Sequence, residues 1–151
     1  MKKVAISACL TGKFCKYNGD NNLDSNLLNL LNQKEYELIE FCPEDYAFGT
    51  PRPTMDLVQY NKKIFAISNE KGEDLTSYIE NYAKDFFNKN KDIELFIGKD
   101  RSPSCGVNSA KLYDKDKNLI SKISKGIMAQ EAEKCSIKSI DASLYQDKGI
   151  L

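Results

Sequence analysis

The chain of 151 residues holds five cysteines and no histidine. Three of the cysteines come after apolar stretches: Cys9 at the end of KKVAISAC, Cys42 at the end of YELIEFC, and Cys105 in DRSPSCG, a polar loop that follows IELFIG. Each has turn-forming residues close by, where packing a core asks for no thiol and where functional groups collect. Three thiolates brought together would be soft ligands for zinc or for a cluster of iron and inorganic sulfide. Three protein ligands rather than four leave one metal position open, which marks a catalytic rather than a structural site. A cysteine nucleophile activated by histidine is excluded, because the chain has no histidine.

The other two cysteines read differently. Cys135 sits between a helical and a strand-like stretch with no glycine, proline or polar loop beside it, the setting of a small buried hydrophobe. Cys15 stands C-x5-C from Cys9, which is neither a standard ligand spacing nor the C-x2-C of thiol redox enzymes. Its role stays open between bystander and wall of the site.

Polar side chains lie beside the three thiols. Glu44, in FCPED, is two residues from Cys42, and with aspartate it is the only kind of general acid or base this histidine-free loop offers near neutral pH; Asp45 is the second choice. Arg52 stands between two prolines in TPRPTMD, a stiff segment that could hold a guanidinium toward a planar anion or a carbonyl-bearing ligand. Lys99 and Arg101 precede SPSCG and are expected to lower the pKa of Cys105. Ser102 and Ser104 offer hydroxyls to the same loop, or only close its turns. Pro103 keeps the preceding serine extended and Gly106 lets the chain turn away, so that Ser102 and Cys105 can face one space.

Those groups can meet only if the strands before them end on the same side. Residues 2–8 read as a buried strand, and Leu23, Leu27, Leu30 and Leu31 then recur at helical spacing after the capping residues of NGDNN. YELIEF is a second strand stopped by Pro43, and KIFAIS is a third, beyond a loop PEDYAFGTPRP. Leu75, Tyr78, Ile79, Tyr82, Ala83, Phe86 and Phe87 trace the clearest helical stripe in the chain. IELFIG, a hairpin around residues 114–118, a helix near 126–134 and a final strand SIKSID complete the order. Strands alternating with amphipathic helices indicate an α/β fold with a largely parallel sheet, in which ligands bind beyond the carboxyl ends of the strands.

Composition fits a single domain spanning residues 1–151 and working on a small molecule. The 22 basic and 22 acidic residues cancel, which argues against strong nucleic-acid binding or a membrane-surface role. No apolar run approaches the ~20 residues of a membrane span, and the start MKKVAISACL lacks the pattern of a signal peptide, so a cytoplasmic protein is expected. An odd number of cysteines in a reducing compartment argues against a disulfide framework.

The segments SACLTGKFCKYNG, FCPEDYAFGTPRPTMDL and GKDRSPSCG, in that order, resemble the DUF523 family, whose characterised members are thiouracil desulfurases, also called desulfidases. The resemblance implies a Rossmann-like three-layer α/β domain that carries a [4Fe-4S] cluster on Cys9, Cys42 and Cys105, leaving the fourth iron free for the sulfur of a thiocarbonyl substrate. It implies catalytic roles for Glu44 and Ser102, with Ser104 the competing serine; Arg52 and Ser104 are then expected to bind substrate. The implied reaction is non-redox: C=S of a thiolated nucleobase or nucleoside, such as thiouracil, becomes C=O and hydrosulfide leaves. A nucleobase- or nucleotide-binding module with a structural zinc or cluster is the alternative. The chain departs from the family pattern at Asp56, where glutamate is more common, and at Ala47 and Phe48 before Gly49. Little of the resemblance extends beyond about residue 114.

Overall fold

The computed structural model describes residues 2–148. In chain order the elements are β1 (Lys3–Ser7), a 3-10 turn (Ala8–Thr11), α1 (Ser25–Gln33), β2 (Glu37–Phe41), α2 (Pro43–Phe48), β3 (Met55–Tyr60) and β4 (Lys63–Ser68). There follow α3 (Thr76–Lys89), β5 (Ile93–Gly98), β6 (Ala110–Asp114), β7 (Leu119–Ser124), α4 (Ile127–Lys134), β8 (Lys138–Asp141) and α5 (Ala142–Lys148).

One sheet, ordered β2-β1-β5-β8, is parallel throughout. Its strands are apolar on both sides because both faces are covered. Alternation along each strand decides which side chain goes where. Val4, Ile6, Leu95, Ile97 and Ile140 pack with Leu27 and Leu31 of α1 and Tyr145 of α5. Ala5, Phe41 and Phe96 point the other way, into a second core shared with Ile79, Ala83, Phe86 and Phe87 of α3 and Ala129 and Ala132 of α4, which Ile93 joins from beyond a register shift at the start of β5. The expected α/β fold with a largely parallel sheet is therefore present.

A second sheet, ordered β4-β3-β6-β7, was not foreseen. Its central strand β3 follows the prolines of TPRPT and pairs antiparallel with β4 and parallel with β6. Met55, Leu57, Ala66, Ala110 and Leu112 of this sheet enter the same core as α3, which joins the two sheets. KIFAIS is thus one arm of a β3–β4 hairpin rather than a strand of the parallel sheet. PEDYAF is likewise a helix, α2, instead of a loop. Pro43 occupies its first turn, Glu44 and Asp45 complement the positive end of its dipole, and Gly49 at φ 80° closes it. Helix α1 starts later than the leucine spacing suggests: Asp24 caps it by accepting the Leu27 amide, and Leu23 stays exposed outside it. Among the described residues no helix is long and apolar enough to cross a membrane.

Candidate catalytic site

Strands β2, β1 and β5 are adjacent and parallel, so their carboxyl ends lie side by side. The segments leaving those ends carry the three cysteines in question. Cys42 is the N-cap of α2, Cys9 lies in the 3-10 turn after β1, and Cys105 lies in the loop after β5. All three line one cavity of about 580 Å³, together with Cys15, Glu44 and Ser102. The second sheet supplies the facing wall through Asp56, Lys111 and Tyr113. A larger depression of about 1070 Å³ lies beside it over residues 21–26, but no cysteine lines it. The chemistry therefore belongs to the smaller cavity. Cys135 is exposed and borders a separate cavity near Lys84 and Ile137, so it is not the buried hydrophobe expected of it.

The loop that holds Cys105 is clamped from three sides. Asp141, buried at the end of β8, accepts from the amides of Val107 and Asn108 at 2.8 and 2.9 Å and from the Ser109 hydroxyl at 2.7 Å. Gly98 lets the loop lie on the end of β5, because a Cβ there would stand 1.8 Å from the carbonyl oxygen of Cys105. Gly126 does the same from the other side, where a Cβ would meet the carbonyl carbon of Ser104 at 2.4 Å. Gly98→Ala must push the Cys105 backbone away. The expected cost is about 1–3 kcal/mol, which for a chain of this size lowers Tm by roughly 2–4 °C for each kcal/mol. A thermal melt matching the parent would show that the loop does not press on β5.

Burial governs the thiols. It pushes Cys105 well above its ordinary pKa, helped by the nearby sulfur of Cys42 and the carboxylate of Glu44, while a hydrogen bond from Ser7 works in the opposite sense. Cys42 is also raised by burial, with the Asp45 amide and Arg52 opposing, and Cys15 is pushed up to about 12 by burial and then by Cys42. The expected lowering of Cys105 by Lys99 and Arg101 is therefore overturned. Lys99 spends its ammonium on the Asp100 carbonyl at 3.0 Å, and Arg101 is exposed where the chain bends at φ 67°. Clustered thiols without a cation are costly to ionise; bound metal would invert that balance, because a coordinated thiol loses its proton.

Glu44 is held at both oxygens. Ser104 donates its hydroxyl to Oε2 at 2.8 Å, and Arg52 Nε faces Oε1 at 3.5 Å. Arg52 differs from the free guanidinium suggested by its flanking prolines. Its side chain is 5% exposed and donates to Gly49 O at 3.1 Å, Thr50 Oγ1 at 2.8 Å and Cys15 O at 2.8 Å. It braces the site from within, because the turn at residues 49–52 folds it back under Cys15. Ser104 is fully buried and spends its hydroxyl on Glu44, so it does not face the cavity as a substrate contact would. Ser102 does face it. Its oxygen accepts the amides of Ser104 at 3.2 Å and Cys105 at 3.0 Å, which leaves its O–H free to donate into the cavity. Asp45 accepts the Thr50 hydroxyl and does not line the cavity.

Three supporting residues escaped the sequence reading. The Tyr82 hydroxyl accepts the Cys42 amide at 3.1 Å; the Ser7 hydroxyl accepts the Lys99 amide at 3.0 Å at the head of the Cys105 loop; Asp141 fixes the SPSCG loop. Only Asp141 left a signal, as a carboxylate ending a strand at the same sheet edge as the cysteines.

Comparison with known proteins bears on the family and the fold. The sequence profile of the 2-thiouracil desulfurase family matches residues 4–143. The Bacillus subtilis (strain 168) protein YbbK, described as uncharacterized, is 32% identical over 114 aligned residues, with 68% of this chain and 72% of YbbK covered. Among solved structures, a [4Fe-4S]-dependent thiouracil desulfidase, TudS, superposes with a TM-score of 0.77 over 99% of this chain and 97% of its own, at 24% identity. That likeness establishes a shared fold.

Proposed function

The chain belongs to the 2-thiouracil desulfurase family of enzymes, and on that premise we propose that it removes sulfur from a thiolated nucleobase such as 2-thiouracil with the help of a [4Fe-4S] cluster. The observation that carries the reading is the convergence of Cys9, Cys42 and Cys105, from three adjacent strand ends, on one cavity shared with Glu44 and Ser102. The donor set suits the group: three sulfurs and no nitrogen ligand are what an iron-sulfur cluster takes. Among the described residues no three Cys, Asp or Glu side chains gather around one ion position.

Cys9, Cys42 and Cys105 would hold the cluster. When bound, it supplies a Lewis-acidic iron without a protein ligand, suited to the soft sulfur of a thiocarbonyl. The rest falls to side chains of this chain. Glu44, fixed by Ser104 and Arg52, takes a proton from the water that attacks the thiocarbonyl carbon and returns one as the C–S bond breaks. Ser102 donates its hydroxyl proton as a hydrogen bond that orients substrate or water. The balance is one thiocarbonyl and one water giving one carbonyl and one hydrogen sulfide, with no electrons exchanged. Asp56, Lys111 and Tyr113 form the wall against which the ring would lie.

The serines separate by experiment. Ser102→Ala is expected to keep the iron and lower turnover of 2-thiouracil to uracil by roughly 10-fold or more, as for a lost hydrogen-bond donor at the reacting centre. Ser104→Ala acts only through Glu44 and should cost less. A larger loss from Ser104→Ala than from Ser102→Ala would exchange their roles. A binding module without activity would bind 2-thiouracil yet release no hydrosulfide with either variant or the parent.

A further inference from the structure

We propose that Cys15 is a modification site: in the cluster-free chain it closes a disulfide onto Cys42. Cys15 has no part in the proposed ligand set, yet it is buried in the wall of the same cavity. The Cys42 sulfur lies 3.9 Å from the carbonyl oxygen of Cys15, so the backbone that carries the Cys15 thiol rests directly on Cys42. The loop carrying Cys15 is fixed in that place, since Arg52 Nη2 donates to Cys15 O at 2.8 Å and the Arg52 amide donates to Tyr17 O at 2.8 Å. Cys105 is held apart from them in the loop after β5, which Asp141 fixes through the Val107 and Asn108 amides. Cys15 is therefore the cysteine whose own backbone the Cys42 sulfur touches, and an S–S bond between the two asks for side-chain rotation rather than a large backbone movement.

The oxidant is a peroxide. One thiol attacks hydrogen peroxide and becomes a sulfenic acid, releasing one water; the second thiol attacks that sulfur, the S–S bond forms, and the hydroxide displaced leaves with the remaining proton as a second water. Two thiols lose two electrons, and peroxide is reduced to two waters. Further oxidation of a sulfenic acid gives sulfinic acid, which thiols do not reverse, whereas a disulfide is reopened by a dithiol. The consequence rests on the reading of Cys42 as a cluster ligand: a bonded Cys42 cannot take iron, but it is kept from permanent damage until it is reduced.

The linkage is read on the full chain without iron. The protein is stripped of metal under reducing conditions, desalted, treated with hydrogen peroxide, alkylated, digested with trypsin and mapped by mass spectrometry. The expected product joins the peptide of residues 14–16 to the peptide that contains Cys42, and dithiothreitol separates them. Linkage of Cys42 to Cys9 or Cys105, or Cys42 recovered as sulfinic acid beside a free Cys15, would overturn the proposal. In a second arm, Cys15→Ser is expected to take up iron and sulfide as the parent does before peroxide. After peroxide it should lose that capacity for good, while the parent recovers it with dithiothreitol; equal recovery contradicts the protective role. Because the first arm involves no iron, failure of the cluster reading would not move it.

Discussion

Cys105→Ser is expected to remove iron, brown colour and desulfuration together. Cys105 is the most enclosed of the three proposed ligands, held by Gly98, Gly126 and the Asp141 clamp, so the loop cannot offer a neighbouring donor in its place. A serine oxygen is nearly the same size but is a hard ligand, poorly matched to iron in a sulfide cluster. Iron should fall from about four atoms per chain to a small residue, and turnover of 2-thiouracil to background. The control is Cys135→Ala, at a cavity away from the site, which should leave the iron content unchanged. Full iron in Cys105→Ser would move the third ligand to Cys15, whose backbone carbonyl already adjoins the Cys42 sulfur and which lines the same cavity.

Glu44→Gln should leave the cluster spectrum intact and lower turnover by roughly 10²-fold or more, the scale of a lost general acid or base. Glutamine keeps an oxygen for the Ser104 hydroxyl and nearly the same volume, but it cannot carry a proton, and it removes the charge facing Arg52 at 3.5 Å. Near-full activity would pass the proton to solvent, since Asp45 is turned toward Thr50. Loss of the cluster itself would make Glu44 a structural support of the Cys42 turn.

The strand exits were legible because buried parallel strands are written as short apolar runs, and Cys9, Cys42 and Cys105 follow three of them. Their adjacency was an inference from fold class; the order β2-β1-β5 supplies it. The second sheet was missed at β3 because MDLVQY mixes polar and apolar residues after two prolines, and its pairing partner β6 lies far along the chain. Helix α2 is too short for a periodic stripe to appear. The roles of Arg52 and Ser104 depended on which groups they meet in space. Proline-flanked Arg52 does line the cavity, but its guanidinium is already bonded to Gly49 O, Thr50 Oγ1 and Cys15 O and faces Glu44; Ser104 reaches Glu44 from a loop after another strand. The direction of the Cys105 pKa turned on burial, which outweighs the Lys99 and Arg101 charges although both line the cavity.

The central claim is that the cavity below β2, β1 and β5 carries a catalytic iron-sulfur cluster. Its most direct test is anaerobic purification followed by an absorption spectrum, an iron and sulfide count, and incubation of the same sample with 2-thiouracil. The account predicts a brown protein with about four irons and four sulfides per chain, which releases uracil and hydrosulfide in equal amounts without an electron donor. A colourless protein that cannot be reconstituted with iron and sulfide, or a fully loaded one that leaves 2-thiouracil unchanged, would contradict it.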